Sequence, residues 1–166
     1  MRPTAMRLLA PAVLAAAASA CTPTNSRITL EGVRPLHDRA VAICSCLRAG
    51  LDLPRRRFTT DVCSVSPDRN YGACCIDHDV SYWCGGSEID RLQADRRLAL
   101  CVEEHGHSPR YAEVVRRTVR VGGGPWSPFP WRWAYGWKTL RGYEPRPGGG
   151  DAEQCFAPEG PAANTR

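Results

Sequence analysis

The sequence has no internal repeat, no apolar run long enough to span a bilayer comfortably, and no strong excess of one charge. The first absence excludes solenoids, propellers and other repeat arrays. The second excludes an ordinary membrane-spanning helix. The third sets nucleic acid aside as a partner: a formal charge of +5 over 166 residues is mild, well short of the basic bias that phosphate backbones demand. At this length one domain with a modest core is expected.

What the chain does have is cysteine, nine residues in all: Cys21, Cys44, Cys46, Cys63, Cys74, Cys75, Cys84, Cys101 and Cys155. Its first twenty residues are built as an export signal. Arg2 and Arg7 precede an alanine-rich apolar run from Leu8 to Ala20, and the run ends in Ala18-Ser19-Ala20-Cys21. That ending reads either as a small-residue cleavage site or as a lipoprotein site that leaves Cys21 as the lipidated N-terminus. Parity favours the lipoprotein, because setting Cys21 aside leaves eight cysteines, enough for four disulfides in an oxidising compartment. Removing residues 1–20 takes away Arg2 and Arg7 and no acid, which lowers +5 to +3. The expected product is an exported monomer, lipid-anchored at the bacterial envelope (periplasm or outer membrane) or otherwise secreted, with a phospholipid surface as partner.

Along the chain, residues 21–27 read as a tether and 28–144 as one mainly α domain. Ile28 to Leu53 is broadly helical, with Pro35 interrupting or starting a helix. Arg55, Arg56 and Arg57 form a solvated basic cluster. Residues 58–72 are rich in turn formers and should be an ordered loop closed by a disulfide at Cys63. A helix over 73–83 ends at Gly85-Gly86. Ser87 opens a second helix, with Asp90 as its capping-box partner and Ile89, Leu92, Leu98 and Val102 as an apolar stripe that stops near Gly106. The remainder, including Gly122 to Tyr143, carries too much Gly and Pro for regular helix. Its Trp126, Trp131, Trp133 and Trp137 suit either a lid over the core or a membrane interface. Residues 145–166 are expected to be a partly disordered tail, tied down at Cys155.

The stretch "CCIDHDVSYWCGG", residues 74–86, poses the functional question. Folded as an antiparallel hairpin about Gly86 and Ser87, the two helices bring Cys74 level with Cys101 and His78 nearly level with Asp95. At about 1.5 Å per residue, His78 lies about 6 Å from Cys74 and Asp95 about 9 Å from Cys101, an offset of about 3 Å. A Cys74–Cys101 disulfide would therefore set His78 opposite Asp95. Cys74, His78 and Tyr82 share one face, while Cys75 points about 100° away, free to bridge back to Cys63. A histidine oriented by a buried carboxylate suits a general base acting on water. Asp79, on the neighbouring face, would point at the 61–68 loop, and a carboxylate facing loop carbonyls suits calcium. Clustered Cys and His also allow zinc. His105 and His107, after Glu103 and Glu104, read as cations at a helix C-terminus or as a second metal cluster.

These residues carry a family resemblance. "CCIDHDVSY" resembles the active-site helix of secreted phospholipase A2, and "DRRLALC", Asp95 to Cys101, resembles that family's second motif. Asp61 to Cys101, about a quarter of the chain, is most similar to the short prokaryotic and fungal branch. The resemblance implies a disulfide-bridged helix pair with a calcium loop, and calcium-dependent hydrolysis of an acyl ester of glycerophospholipids. It implies His78 as base, Asp95 as its orienting partner and Tyr82 as hydrogen-bond support. It implies calcium held by Asp79, Asp61 and the Val62 carbonyl. With the hairpin geometry it gives Cys63–Cys75 and Cys74–Cys101 as disulfides. The sequence departs from the animal-type pattern in lacking one whole disulfide, with Ser81 and Ala94 at its two positions. Val62 stands where related bacterial loops often have Gly, and a positive φ would be costly there. A catalytically silent lipid- or envelope-binding lipoprotein on the same scaffold is the alternative.

Overall fold

A computed structural model describes residues 30–55, 57–63, 70–126, 135, 143–144 and 150–157, with the side chains of 30–33 left aside. The expected signal segment and tether, Cys21 included, lie outside these residues, as do Arg56, Trp131, Trp133 and Trp137. The elements are α1 (Leu30–Leu47), α2 (Gly72–Cys84), α3 (Glu88–Glu104), α4 (Pro109–Gly122) and α5 (Ala152–Phe156), and among the described residues there is no strand. No described helix is long and apolar enough to cross a membrane.

The centre of the fold is α2, whose residues 78–84 are all buried along with Cys74 and Cys75. A helix covered on every side must have neighbours on every side. Here α1 packs on one flank and α3 on another, and α4 packs against α3 with its C-terminal end reaching Tyr82 of α2. Cys74 meets Cys101, His78 meets Asp95, and Tyr82 meets Arg91. Residue numbers rise along α2 as they fall along α3, so the pair is the antiparallel hairpin that the sequence spacing implies.

Its turn is built for sharpness. Gly85 and Gly86 both have positive φ, 74° and 141°. A Cβ on Gly86 would stand 2.8 Å from Asp90 Oδ2, so the turn has no room for a side chain. Ser87 then caps α3 as expected: its side chain accepts from the Asp90 N–H, and the Asp90 carboxylate accepts from the Ser87 N–H at 2.9 Å. A cap of this kind stabilises a helix by about 0.5–2 kcal/mol.

Two apolar clusters flank the hairpin. One joins Val62, Cys63 and Tyr71 to Cys74, Cys75, Leu98, Val102 and Ala112. The other gathers Ala40, Ile43, Phe58, Val80 and Trp83 around Cys44, Cys84 and Cys155. Phe58, 1% exposed, contributes about 1.5–3 kcal/mol by burial. Disulfides run through both clusters: Cys63–Cys75 and Cys74–Cys101 as expected, with Cys44–Cys84 and Cys46–Cys155 completing four pairs.

Four elements differ from the sequence expectation. The first helix stops at Leu47 rather than Leu53, and it runs through Pro35, which lies in the second turn, where one backbone hydrogen bond is forfeited. Ile89 is 53% exposed; the buried face of α3 is Arg91, Ala94, Asp95, Leu98, Ala99 and Val102. Helix α4 occupies a stretch not expected to be regular: Ser108 caps it, Pro109 starts it, and its inner side carries Ala112, Val115 and Val119. In the expected tail, residues 152–156 form α5, which packs on α1 through the Cys46–Cys155 bond.

Candidate active site

His78 and Tyr82 are one turn apart on α2, with ring centroids 4.2 Å apart. Asp95 faces them from α3 and has no exposed surface. His78 Nε2 lies 3.0 Å from Asp95 Oδ1, and the Tyr82 hydroxyl donates to the same oxygen at 2.7 Å. The second carboxylate oxygen, Oδ2, accepts from Arg120 Nη1 at 3.2 Å.

Burial pushes the Asp95 carboxyl up, but the His78 and Tyr82 hydrogen bonds and the nearby cations outweigh it and hold the group below its ordinary range. An ionised Asp95 can only accept, so His78 Nε2 carries the hydrogen between them. Nδ1 is then the lone-pair nitrogen of the neutral ring, the one able to take a proton. The Tyr82 hydroxyl is pushed well up by burial and by Asp95, which keeps it protonated as a donor.

Sequence reasoning missed the cations behind this trio. Arg91 is buried on α3. Its Nε donates to the Tyr82 hydroxyl at 3.0 Å, and its Nη2 donates to the Val119 and Arg120 carbonyls at the end of α4. One guanidinium thus orients Tyr82 and satisfies carbonyls that a helix end leaves open. Close approach is possible because residue 123 is glycine: a Cβ there would stand 2.5 Å from Tyr82 Cε1. The i, i+4 spacing of Arg91 and Asp95 on one helix face was the available signal; nothing local pointed to Arg120. Tyr135 packs edge-on against Tyr82, ring centroids 5.1 Å apart.

Asp79, next along α2, faces a different set of atoms. It is buried, and Thr60 Oγ1 donates to its Oδ2 at 2.6 Å. The same Thr60 oxygen accepts from the Val62 N–H at 2.9 Å, an i to i+2 turn that ties the loop to the helix. Thr60 was not foreseen as a site residue. Val62 sits at φ 67°, a left-handed conformation that is a genuine outlier for a β-branched residue. Strain of this kind gathers at ligand clamps. Burial pushes the Asp79 carboxyl well up; the Thr60 hydrogen bond opposes this, and the neighbouring Asp61 charge adds to it. Carboxylates such as Asp79 and Asp61 are hard-oxygen donors, the chemistry that suits a divalent cation such as calcium better than a thiophilic metal.

The cysteine-rich alternative does not fit. Cys74, Cys101 and His105 offer atoms within 4.8 Å of one another, but both sulfurs are spent in a disulfide, leaving no thiolate to ligate zinc. His105 instead sits at the C-cap of α3, its Nδ1 2.8 Å from the Cys101 carbonyl. His107 Nε2 lies 2.8 Å from Asn70 Oδ1. Trp126 is exposed, as are Arg55 and Arg57.

His78 opens into a cleft of about 320 Å³ between α2, α3 and α5. Leu98, Leu100 and Phe156 give it apolar walls, and Arg97 reaches its rim. No protein-family model, curated protein or solved structure matches this chain.

Proposed function

We propose that this chain hydrolyses an acyl ester of glycerophospholipids at a membrane or vesicle surface with calcium as cofactor, releasing fatty acid and lysophospholipid. The observation that carries the reading is that one helix presents His78, paired to the buried Asp95, next to a buried Asp79 that meets Thr60 of the preceding loop.

His78 Nδ1 takes a proton from water as the water oxygen bonds to the ester carbonyl carbon. Asp95 steadies the imidazolium so formed, and Tyr82 and Arg120 keep Asp95 in place. The bond from the carbonyl carbon to the glycerol oxygen then breaks, and the imidazolium returns its proton to that oxygen. Calcium, when held by Asp79, Asp61 and the Val62 carbonyl, supplies charge stabilisation for the carbonyl oxygen. Burying His78 and Asp95 keeps their hydrogen bond out of competition with bulk water.

On this reading the protein is exported and anchored through Cys21 at the bacterial envelope, and acts as a monomer. Fatty-acid release from mixed phospholipid vesicles, with and without a calcium chelator, tests it. Calcium-dependent release supports the hydrolase; calcium binding and vesicle binding with no release would favour a silent lipid-binding lipoprotein.

A further inference from the structure

Cys74 and Cys101 both line the cleft into which His78 opens, so their bond faces a space that a small molecule can enter. Cys101 is half-buried, whereas both ends of Cys44–Cys84 and of Cys63–Cys75 are buried residues. Cys46–Cys155 also has one half-buried end. What sets the cleft bridge apart among the described residues is an imidazole beside it. His105 Nδ1 lies 3.6 Å from Cys74 Sγ and 3.9 Å from Cys101 Sγ. The same nitrogen is 2.8 Å from the Cys101 carbonyl, which can only accept, so Nδ1 carries a hydrogen within reach of both sulfurs.

The two sulfurs are not equivalent. Cys74 is the third residue of α2, and a helix N-terminus favours a thiolate. Cys101 lies in the last turn of α3, where the helix end disfavours one. The more accessible sulfur is thus the poorer thiolate, and its buried partner is the better one.

We propose that Cys74–Cys101 is an exchange site for a small cationic thiol, which enters the cleft, attacks Cys101 Sγ and drives off Cys74 as the thiolate. The thiol first loses its proton to water. Its sulfur bonds to Cys101 Sγ as the bond to Cys74 breaks, and the electron pair stays on Cys74 Sγ beside the His105 N–H. A stabilised thiolate leaves faster. A second thiol then attacks the bound thiol's sulfur and departs with it as a small disulfide. Two thiols are oxidised, one protein bridge is reduced, and both cysteines take protons from water. The charge of the cleft selects the thiol. Asp77, Glu104 and Glu153 line it against Arg97, with Arg39 paired to Asp77 at 2.6 Å. This surplus of acid draws a cation in and turns an anion away. The bond so opened is the clasp of the α2–α3 hairpin, one helical turn from His78. None of these steps depends on the hydrolase reading.

The full mature chain, folded and oxidised, is treated with cysteamine, mercaptoethanol or mercaptoethanesulfonate at equal thiolate concentration. Samples are quenched in acid, alkylated and mapped by peptide mass. Each rate is divided by that of the same thiol on hydroxyethyl disulfide, which removes intrinsic thiol reactivity. Cys46–Cys155 in the same molecule is the reference for any general loosening of the fold. Cys74–Cys101 should open about tenfold or more faster than Cys46–Cys155, with the first adduct on Cys101 and cysteamine the fastest reagent. His105→Ala should bring the two bridges within about threefold, while His105→Lys, which still donates an N–H, should keep most of the preference. Equal opening of the two bridges, a first adduct on Cys74, or a ratio unmoved by His105→Ala would overturn the exchange site. A sulfonate that reacts as fast as cysteamine would overturn the choice of a cationic thiol.

Discussion

His78 Nε2 stands 3.0 Å from Asp95 Oδ1, and Asp95 is buried without residue. The pair is held by three independent devices: the Cys74–Cys101 bond below it, Tyr82 beside it, and Arg120 arriving from α4. Rotating either side chain would leave a buried charge or donor unmatched, which is costly.

The roles of base and cation pocket separate by mutation. His78→Ala should abolish hydrolysis with calcium affinity largely kept, because the imidazole pairs with Asp95 rather than with Asp79. Asp79→Asn should remove both calcium affinity and activity. Calcium titration calorimetry alongside vesicle hydrolysis checks this, and the reverse pattern means the roles are misassigned.

Support for the base should be graded. Asp95→Asn should keep calcium binding but lower the rate by ~10²–10⁴, the range of lost acid–base support. Tyr82→Phe removes one hydrogen bond, about 0.5–1.5 kcal/mol, and should cost tenfold at most. Single-turnover rates on short-chain phospholipid compare the two; a larger loss in Tyr82→Phe than in Asp95→Asn contradicts the arrangement.

The two carboxylates should give opposite pH trends in stability. Burial raises the folded pKa of Asp79, so in chelator its contribution is full below the ordinary carboxylate range and is lost as pH rises through the raised value. Hydrogen bonds and cations lower the folded pKa of Asp95, so its contribution is present above the ordinary range and lost as pH falls. Calcium should raise Tm more as pH rises, and Asp79→Asn should erase that slope. Thermal melts against pH in calcium and in chelator measure it; a calcium effect that shrinks with rising pH would count against Asp79 as ligand.

Val62 offers a test of stored strain. Val62→Ala and Val62→Gly both remove the isopropyl group, but glycine alone is at ease at φ 67°. Glycine should therefore be the more stable by about 1–2 kcal/mol, the cost of a left-handed L-residue, reversing the usual order. Urea unfolding of the two variants decides; alanine equal to glycine would place the loop in another conformation.

Non-reducing peptide mapping should return Cys44–Cys84 and Cys46–Cys155 beside the two bridges of the hairpin. Cys46–Cys155 closes a separation of 109 residues, so on the chain-entropy account its loss in a Cys46→Ser, Cys155→Ser variant should cost up to about 5 kcal/mol. Linkage of Cys46 to Cys84 would displace α5 from the cleft wall.

The amino-acid sequence by itself determined the α2–α3 hairpin and the His78–Asp95 pairing. Both rest on short-range arithmetic: helical rise, one glycine turn, the Ser87–Asp90 cap, and residues 17 positions apart. Helix α4 was harder to see because arginines dilute its apolar stripe, although Ser108-Pro109 marks its start. Only the tertiary structure decided what surrounds the pair. Arg120 reaches Asp95 across 25 residues, and Arg91 reaches α4 carbonyls across 28 and 29. Four further cysteines allow three pairings that no local rule ranks; folding α1, α2 and α5 together selected one. The cleft wall at Phe156 exists for the same reason. Contacts between distant segments depend on where each helix packs, and packing is a property of the whole set of buried faces rather than of any one stretch.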